Sequence, residues 1–184
     1  NDVPVHVAHD ESLYPHASKF ECEGYVAMKR EFRKNYRRSI EKRYHYLLDK
    51  MERKSLHGLF DSLYLSKIGL ALPEGISRKS IEELGQFSAK EWFMPFQESD
   101  MFTRLGIGRM IKDIKREIDL KRNGMNLKLS IFSCHDSSIG SLLGAFKVFD
   151  GRWPDFGASI ILEVQKDKLE NEKYVRFVYQ DKAM

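Results

Sequence analysis

Apolar side chains recur every three to four residues over most of the chain before residue 123, the spacing that places them on one face of an α-helix. This pattern predicts four helices, and turn residues or prolines are expected to end the last three. The helices cover Lys29–Lys54, Ser55–Leu70, a segment from Ser77 or Ser80 to Met94 before Pro95, and Phe102–Lys121. Their buried faces are predicted to carry Leu56, Leu59, Phe60, Leu63, Ile68, Trp92, Phe93, Phe96, Leu105, Ile111, Ile114 and Ile118.

The pattern changes from helical spacing to alternation after Gly124. Apolar residues alternate with polar ones from Leu127 to Ile131, which predicts a strand over Lys128–Cys134. Helical spacing then returns from Ile139 to Phe146, so a helix is predicted next, with Ser137 or Ser138 capping its first turn. A strand that turns directly into a helix is typical of α/β proteins, and this is the predicted fold class.

The predicted strands do not make a self-sufficient sheet. Two of them, Ile160–Glu163 and Tyr174–Tyr179, are predicted to form a hairpin around Lys166-Asp167-Lys168. The strand over Lys128–Cys134 has apolar residues on more than one face, which is typical of a parallel strand with neighbours on both sides. We therefore expect strands from outside this chain to complete the sheet.

Positive charge is concentrated in the first predicted helix. The chain of 184 residues has a net charge of +4, yet Lys29–Lys54 alone holds eleven Lys and Arg against four Asp and Glu, a balance of +7. The rest of the chain therefore sums to −3. A solvated helix face is the simpler interpretation, and contact of residues 29–54 with an anionic partner (RNA, an acidic lipid surface or another subunit) is the alternative.

Composition limits the class of protein and its location. The hydrophobic content is 42%, and no apolar run approaches the ~20 residues of a membrane span, so no transmembrane segment is expected. Cys22 and Cys134 are far apart and no Asn-x-Ser/Thr site occurs, which favours an intracellular location, cytosolic or mitochondrial, without a disulfide. Metal-ligand spacing is absent from the sequence, so neither a metal nor another cofactor is expected.

The segment Phe132-Ser133-Cys134-His135-Asp136-Ser137-Ser138 carries the candidate chemistry. Its His and Asp are predicted at the carboxyl end of a strand and the start of a helix, where α/β proteins usually bind ligands and where helix N–H groups favour an anion. His135 could hold a phosphate oxygen, and Asp136 could donate a proton to a leaving alkoxide. The alternative is an ordinary polar pair at a strand end.

This segment, together with Leu142-Leu143-Gly144-Ala145 and Val148–Pro154, resembles the carboxyl-terminal signature of the histidine acid phosphatases. Upstream, Leu56–Leu63 and Leu72–Ser77 are similar to that family's helical insertion. The resemblance implies part of a mixed-sheet, phosphoglycerate-mutase-like phosphatase domain whose amino-terminal strands are missing. Its expected divisions are a leader loop at 1–21, the helical insertion at 22–122 and the carboxyl-terminal part of the α/β domain at 123–184.

The family's nucleophilic histidine lies in an Arg-His-Gly-x-Arg-x-Pro motif, which this chain lacks. The resemblance therefore transfers two roles only, phosphate contact to His135 and proton donation to Asp136. It implies hydrolysis of a phosphate-containing small molecule through a phosphohistidine if an amino-terminal half, in the same product or a separate chain, completes the site. The alternative is a catalytically inactive, phosphatase-derived structural subunit of a larger assembly, such as a mitochondrial one.

Overall fold

The computed structural model describes residues 22–50, 52, 55–167 and 172–184, without the side chains at 35–41, 43 and 50. The predicted leader loop at 1–21 and the tip of the predicted hairpin lie outside the described residues. The helices are α1 (Glu23–Lys50), α2 (Leu56–Tyr64, continued by a 3-10 turn over Leu65–Ile68), α3 (Arg78–Glu98), α4 (Asp100–Gly106), α5 (Gly108–Arg122) and α6 (Asp136–Ala145). The strands are β1 (Ile160–Lys166), β2 (Lys173–Tyr179) and β3 (Lys182–Ala183).

Serine side chains cap the first turns of α2 and α3. Helix α3 is also longer than predicted. The N–H of Ser80 donates to the Ser77 side chain at 3.1 Å, so Ser77 is the cap of α3. This helix continues through Pro95 to Glu98, and the prediction that it ends at Met94 is wrong. A proline inside a helix removes one hydrogen bond, but Pro95 and its neighbour Phe96 are buried, and their packing keeps the helix intact.

The predicted helix over Phe102–Lys121 is two helices. It breaks at Ile107, whose φ of −127° and ψ of −1° are not helical and whose side chain is buried. The break rotates the residues before it relative to those after it. Ile114, after the break, is buried as predicted, whereas Leu105, before it, is 36% exposed. Ile68, at the end of the 3-10 turn, is also exposed. The prediction that Leu105 and Ile68 belong to the core is therefore wrong.

Helix α1 packs its apolar face on the other helices. Tyr44 and Leu47 are buried in a cluster with residues of α2 and α3. Near its other end, the ring of Phe32 meets that of Phe102 edge-on at 5.5 Å. Arg33 on this helix is also half-buried, so a fully solvated charged face is the wrong interpretation for this position.

Helices α3 and α6 pack without space between them. A Cβ added at Gly140 of α6 would lie 2.5 Å from the ring of Phe93, and one added at Gly144 would lie 2.7 Å from the Phe93 carbonyl oxygen. Phe93 and Leu143 are almost completely buried in the same cluster. The two helices therefore approach as closely as their backbones allow, and this contact fixes the start of α6 relative to α3.

The strands form a small antiparallel sheet that confirms the predicted hairpin. Strand β1 pairs with β2 from Ile160 opposite Tyr179 to Lys166 opposite Lys173. The short strand β3, which was not predicted, adds to the other side of β2. Phe177 and Tyr179 pack against the cluster that contains Phe93. The predicted α/β class, with helices against a small sheet, is confirmed.

Residues 125–135 belong to no helix or strand, so the prediction of a strand over Lys128–Cys134 is wrong. Leu129 is 73% exposed and Ile131 78% exposed, while Phe132 packs partly against the helices. Cys134 was expected at the end of a strand with neighbours on both sides, and this is wrong as well, because it is an exposed free thiol. The physical reason is that a strand needs a hydrogen-bonded neighbour, and none lies beside this segment in the described residues.

In the described part of the chain, no helix is both long and apolar enough to cross a membrane. The same residues hold no group of three or more His, Cys, Asp or Glu that could bind a metal ion. The division into leader, insertion and carboxyl-terminal part remains a prediction.

Candidate functional site

The predicted site residues lie at the start of α6. His135 is the N-cap residue, with extended backbone, and Asp136 is the first residue of the helix. The His135 N–H donates to the Ser138 side-chain oxygen at 3.3 Å, and the His135 carbonyl accepts the first helical hydrogen bonds. The prediction that Ser137 or Ser138 is the N-cap residue is wrong, because both lie inside the first turn of the helix. The Ser138 side chain still stabilises this helix start.

Both carboxylate oxygens of Asp136 accept hydrogen bonds. The Ser137 N–H donates to Oδ1 at 2.6 Å, and the Trp153 indole Nε1 donates to Oδ2 at 2.7 Å. These two bonds restrain the carboxyl group from opposite sides. A negative charge at the first residue of a helix is also favoured by the helix dipole.

His135 and Asp136 are exposed, although Ser138 one turn later is completely buried. Packing of α6 on α3 therefore leaves two polar side chains exposed at the start of α6. They lie where segment 125–135, which belongs to no helix or strand, meets this helix. Asp136 can exchange a proton with a bound group, and His135 together with the α6 amino terminus can contact an anion.

Trp153 packs against a cluster of aromatic rings. Its ring lies 4.9 Å from that of His57, 4.9 Å from Phe93 and 5.5 Å from Phe60, measured between centroids. The His57 ring in turn lies 4.5 Å from that of Trp92. Asp136 is therefore connected, through Trp153, to an aromatic cluster contributed by α2 and α3.

Burial lowers the pKa of His57, and the carboxylates of Asp61, Asp136 and Glu91 only partly offset this effect. The neutral imidazole is consequently favoured at neutral pH. Position 57 lies in the helix that the sequence predicts over Ser55–Leu70, and its spacing there indicates no functional role. Its proximity to Asp136 depends on packing between distant segments, and sequence spacing does not report such packing.

Two cationic side chains of α1 lie against the Trp92 ring of this aromatic cluster. The Lys29 Nζ lies 5.3 Å from the centroid of the Trp92 ring, and the Arg33 guanidinium carbon lies 5.4 Å from it. The Arg33 Nε is also 3.7 Å from Oε1 of Glu91, whose side chain is buried. Trp92 was expected to be a core residue, but it is only half-buried and borders these charges.

Residues 102–180 match the model of the histidine phosphatase superfamily, branch 2. The predicted family resemblance is confirmed. The match includes α6 with His135 and Asp136, as well as Trp153 and most of the β-sheet, and the architecture is consistent with a phosphoglycerate-mutase-like histidine phosphatase fold.

Curated relatives carry acid phosphatase names. A probable acid phosphatase of Dictyostelium discoideum is 29% identical over 138 residues, which are 63% of this chain and 30% of the relative. One of Schizosaccharomyces pombe is 28% identical over 83 residues, 42% of this chain and 18% of the relative. A Caenorhabditis elegans protein, provisionally named acid phosphatase 5, is 25% identical over 186 residues, 92% and 43% respectively. The chain therefore spans less than half the length of these relatives.

Proposed function

We propose that the chain is the carboxyl-terminal part of a histidine acid phosphatase that hydrolyses phosphomonoesters. The observation that carries this proposal is the position of Asp136 at the open start of α6, with both oxygens held by Ser137 and Trp153 and with His135 beside it. A restrained but accessible acid beside an anion-binding helix start is suited to protonating the oxygen that leaves a phosphate.

The reaction divides between this chain and an amino-terminal half. The nucleophilic nitrogen of a histidine from that half forms a bond to phosphorus, while the bond from phosphorus to the ester oxygen breaks. The Asp136 carboxyl group gives its proton to that oxygen, and His135 with the α6 amino terminus contacts the phosphoryl oxygens. Water then cleaves the phosphohistidine, and the Asp136 carboxylate accepts the proton that water releases.

The exposed segment 125–135 supports the need for this amino-terminal half, in the same product or in a second chain. Leu129 and Ile131 are more than 70% exposed, and their backbone belongs to no sheet. A strand supplied beside this segment would bury both side chains and pair its backbone. The exposed free thiol of Cys134 also supports an intracellular location, cytosolic or mitochondrial, because such a thiol persists in a reducing compartment.

Joining the chain to an amino-terminal half that contains Arg-His-Gly-x-Arg-x-Pro tests the proposal. We expect the chain alone to aggregate and to lack turnover of p-nitrophenyl phosphate under mildly acidic conditions. We expect the completed protein to be soluble and active, and to lose activity when the motif histidine is replaced by alanine. Turnover by the chain alone that disappears in the Asp136→Ala variant would contradict the division of labour.

The alternative proposal is that the chain is a catalytically inactive structural subunit. The exposed cations of α1 favour it. Arg30, Lys34 and Lys42 point away from the helical core and are available to an anionic partner. The same experiment separates the two proposals. A completed, soluble protein without phosphatase activity would support the subunit and exclude the enzyme.

Trp153→Phe tests whether the indole positions the proton donor. Phenylalanine keeps an aromatic ring but cannot donate to Asp136, so we expect kcat of the completed phosphatase to fall roughly 3–30-fold, with KM changed little. The control is the same substitution in the Asp136→Asn background, where it should have a much smaller effect. Equal losses in both backgrounds would show that Trp153 acts on stability or packing and not through Asp136.

A further inference from the structure

Two buried polar atoms in the aromatic cluster lack a protein hydrogen-bond partner. They are Nδ1 of His57 and the indole Nε1 of Trp92, and neither is bonded to any group in the described residues. The two rings are in direct contact, with centroids 4.5 Å apart. An unpaired buried polar group costs roughly 1–3 kcal/mol, so two of them in one contact indicate a place where a ligand is received.

Electrostatics indicate that this ligand is an anion. Lys29 and Arg33 both lie over the ring of Trp92, and the Arg33 Nε is 3.7 Å from Oε1 of Glu91. Burial lowers the pKa of Lys29 and the positive charge of Arg33 lowers it further, while the carboxylate of Glu91 only partly offsets these two effects. A negative ligand would relieve the repulsion between these two cations and would accept the Trp92 N–H.

The location of this cluster connects it to the reacting group. The Trp153 ring touches that of His57, and its indole N–H donates to Asp136. The alcohol side of a phosphomonoester, whose ester oxygen must lie beside Asp136, would therefore extend over Trp153 toward His57 and Trp92.

We propose that Lys29, His57 and Trp92 form a subsite that binds a second acid group, a carboxylate or a phosphate, on the alcohol side of the substrate. This inference rests on the proposed phosphatase function and specifies its substrate class. The preferred substrates are phosphomonoesters with at least two anionic groups, and esters of neutral alcohols are poorer substrates. Arg33 strengthens the subsite by its charge while it contacts Glu91.

Kinetics of the completed phosphatase test the preference. The substrates are 4-carboxyphenyl phosphate and its methyl ester, which differ by one negative charge. Lys29→Met keeps the length of the side chain, and we expect it to reduce the preference in kcat/KM for the carboxylate about tenfold, or ~1.4 kcal/mol. His57→Phe and Trp92→Phe, which keep aromatic rings, should reduce the preference in the same direction.

Lys34→Met is the matched control, because it makes the same change on an exposed part of α1. It should leave the preference unchanged. A wild-type enzyme that hydrolyses both substrates equally well, or a preference that survives Lys29→Met, would overturn the subsite.

A binding measurement separates failure of the subsite from failure of the phosphatase function. The measurement uses the completed protein, in which the ¹⁵N indole signals of Trp92 and Trp153, the two tryptophans of this chain, are assigned with Trp92→Phe and Trp153→Phe. Benzoate, which has the acid group and no phosphate, should shift the Trp92 signal in the wild type but not in Lys29→Met. A shift without any turnover would keep the subsite and reject the enzyme, whereas turnover with an unmoved Trp92 signal would reject the subsite.

Discussion

Asp136→Asn should reduce kcat of the completed phosphatase for an alkyl phosphate by roughly 10²–10⁴-fold, the usual contribution of a general acid. Asparagine has nearly the same shape, and its amide oxygen can still accept the Trp153 N–H. It cannot supply a proton to an alkoxide, which is a very poor leaving group without one. Steady-state assays with glycerol phosphate measure the loss.

The leaving group provides the internal control for this result. p-Nitrophenolate leaves without protonation, so Asp136→Asn should reduce turnover of p-nitrophenyl phosphate by no more than about tenfold. Asp150→Asn is the control substitution. Asp150 is exposed and accepts the Arg152 N–H at 3.0 Å, a bond that asparagine can also accept. Equal losses for both substrates would show that Asp136 holds structure or phosphate and is not the proton donor.

Gly144→Ala should lower the free energy of unfolding by about 2 kcal/mol or more, because overpacked buried contacts force the neighbouring backbone to move. The added methyl would lie 2.7 Å from the Phe93 carbonyl oxygen and 2.8 Å from Cβ of Phe96. Neither atom is the end of a flexible side chain. The small gain in helix propensity, about 1 kcal/mol, is not large enough to offset the clash.

Equilibrium urea unfolding of the completed protein, followed by circular dichroism, measures this change as a lower midpoint. Gly108→Ala is the matched control, because it is the same substitution in a helix. There the new methyl would be 3.7 Å from its nearest neighbour, an ordinary contact. Gly108→Ala should be neutral or slightly stabilising. A Gly144→Ala variant as stable as Gly108→Ala would show that α3 and α6 leave room for a methyl group at this contact.

Local patterns in the sequence predicted the helices well, because each buried face repeats within its own segment. Leu59, Phe60 and Leu63 are buried as their spacing indicates. The breaks were harder to predict. Gly106 and Gly108 flank the break at Ile107, but the helical spacing of apolar residues continues across them. At Pro95 the packing of the surrounding helix overrides a residue that usually ends one.

The strand prediction over Lys128–Cys134 failed for a different reason. Alternation describes side chains, whereas a strand also requires a neighbouring backbone, which these residues do not have in the described structure. The same distinction applies to the site. His135 and Asp136 are adjacent in sequence and were found from it, whereas His57, Trp92 and Trp153 meet only through packing.

The close approach of α6 to α3 limits which parts of this chain can be exchanged with those of a relative. Helix α3 belongs to the predicted insertion and α6 carries the proton donor, yet Gly140 and Gly144 leave no room to slide one helix on the other. A chimera that exchanges the insertion with that of a relative must therefore bring a matching α6 or retain α3. Changes of specificity in this scaffold are consequently expected to arise by side-chain replacement on a fixed helix pair, and not by exchange of the insertion as a module.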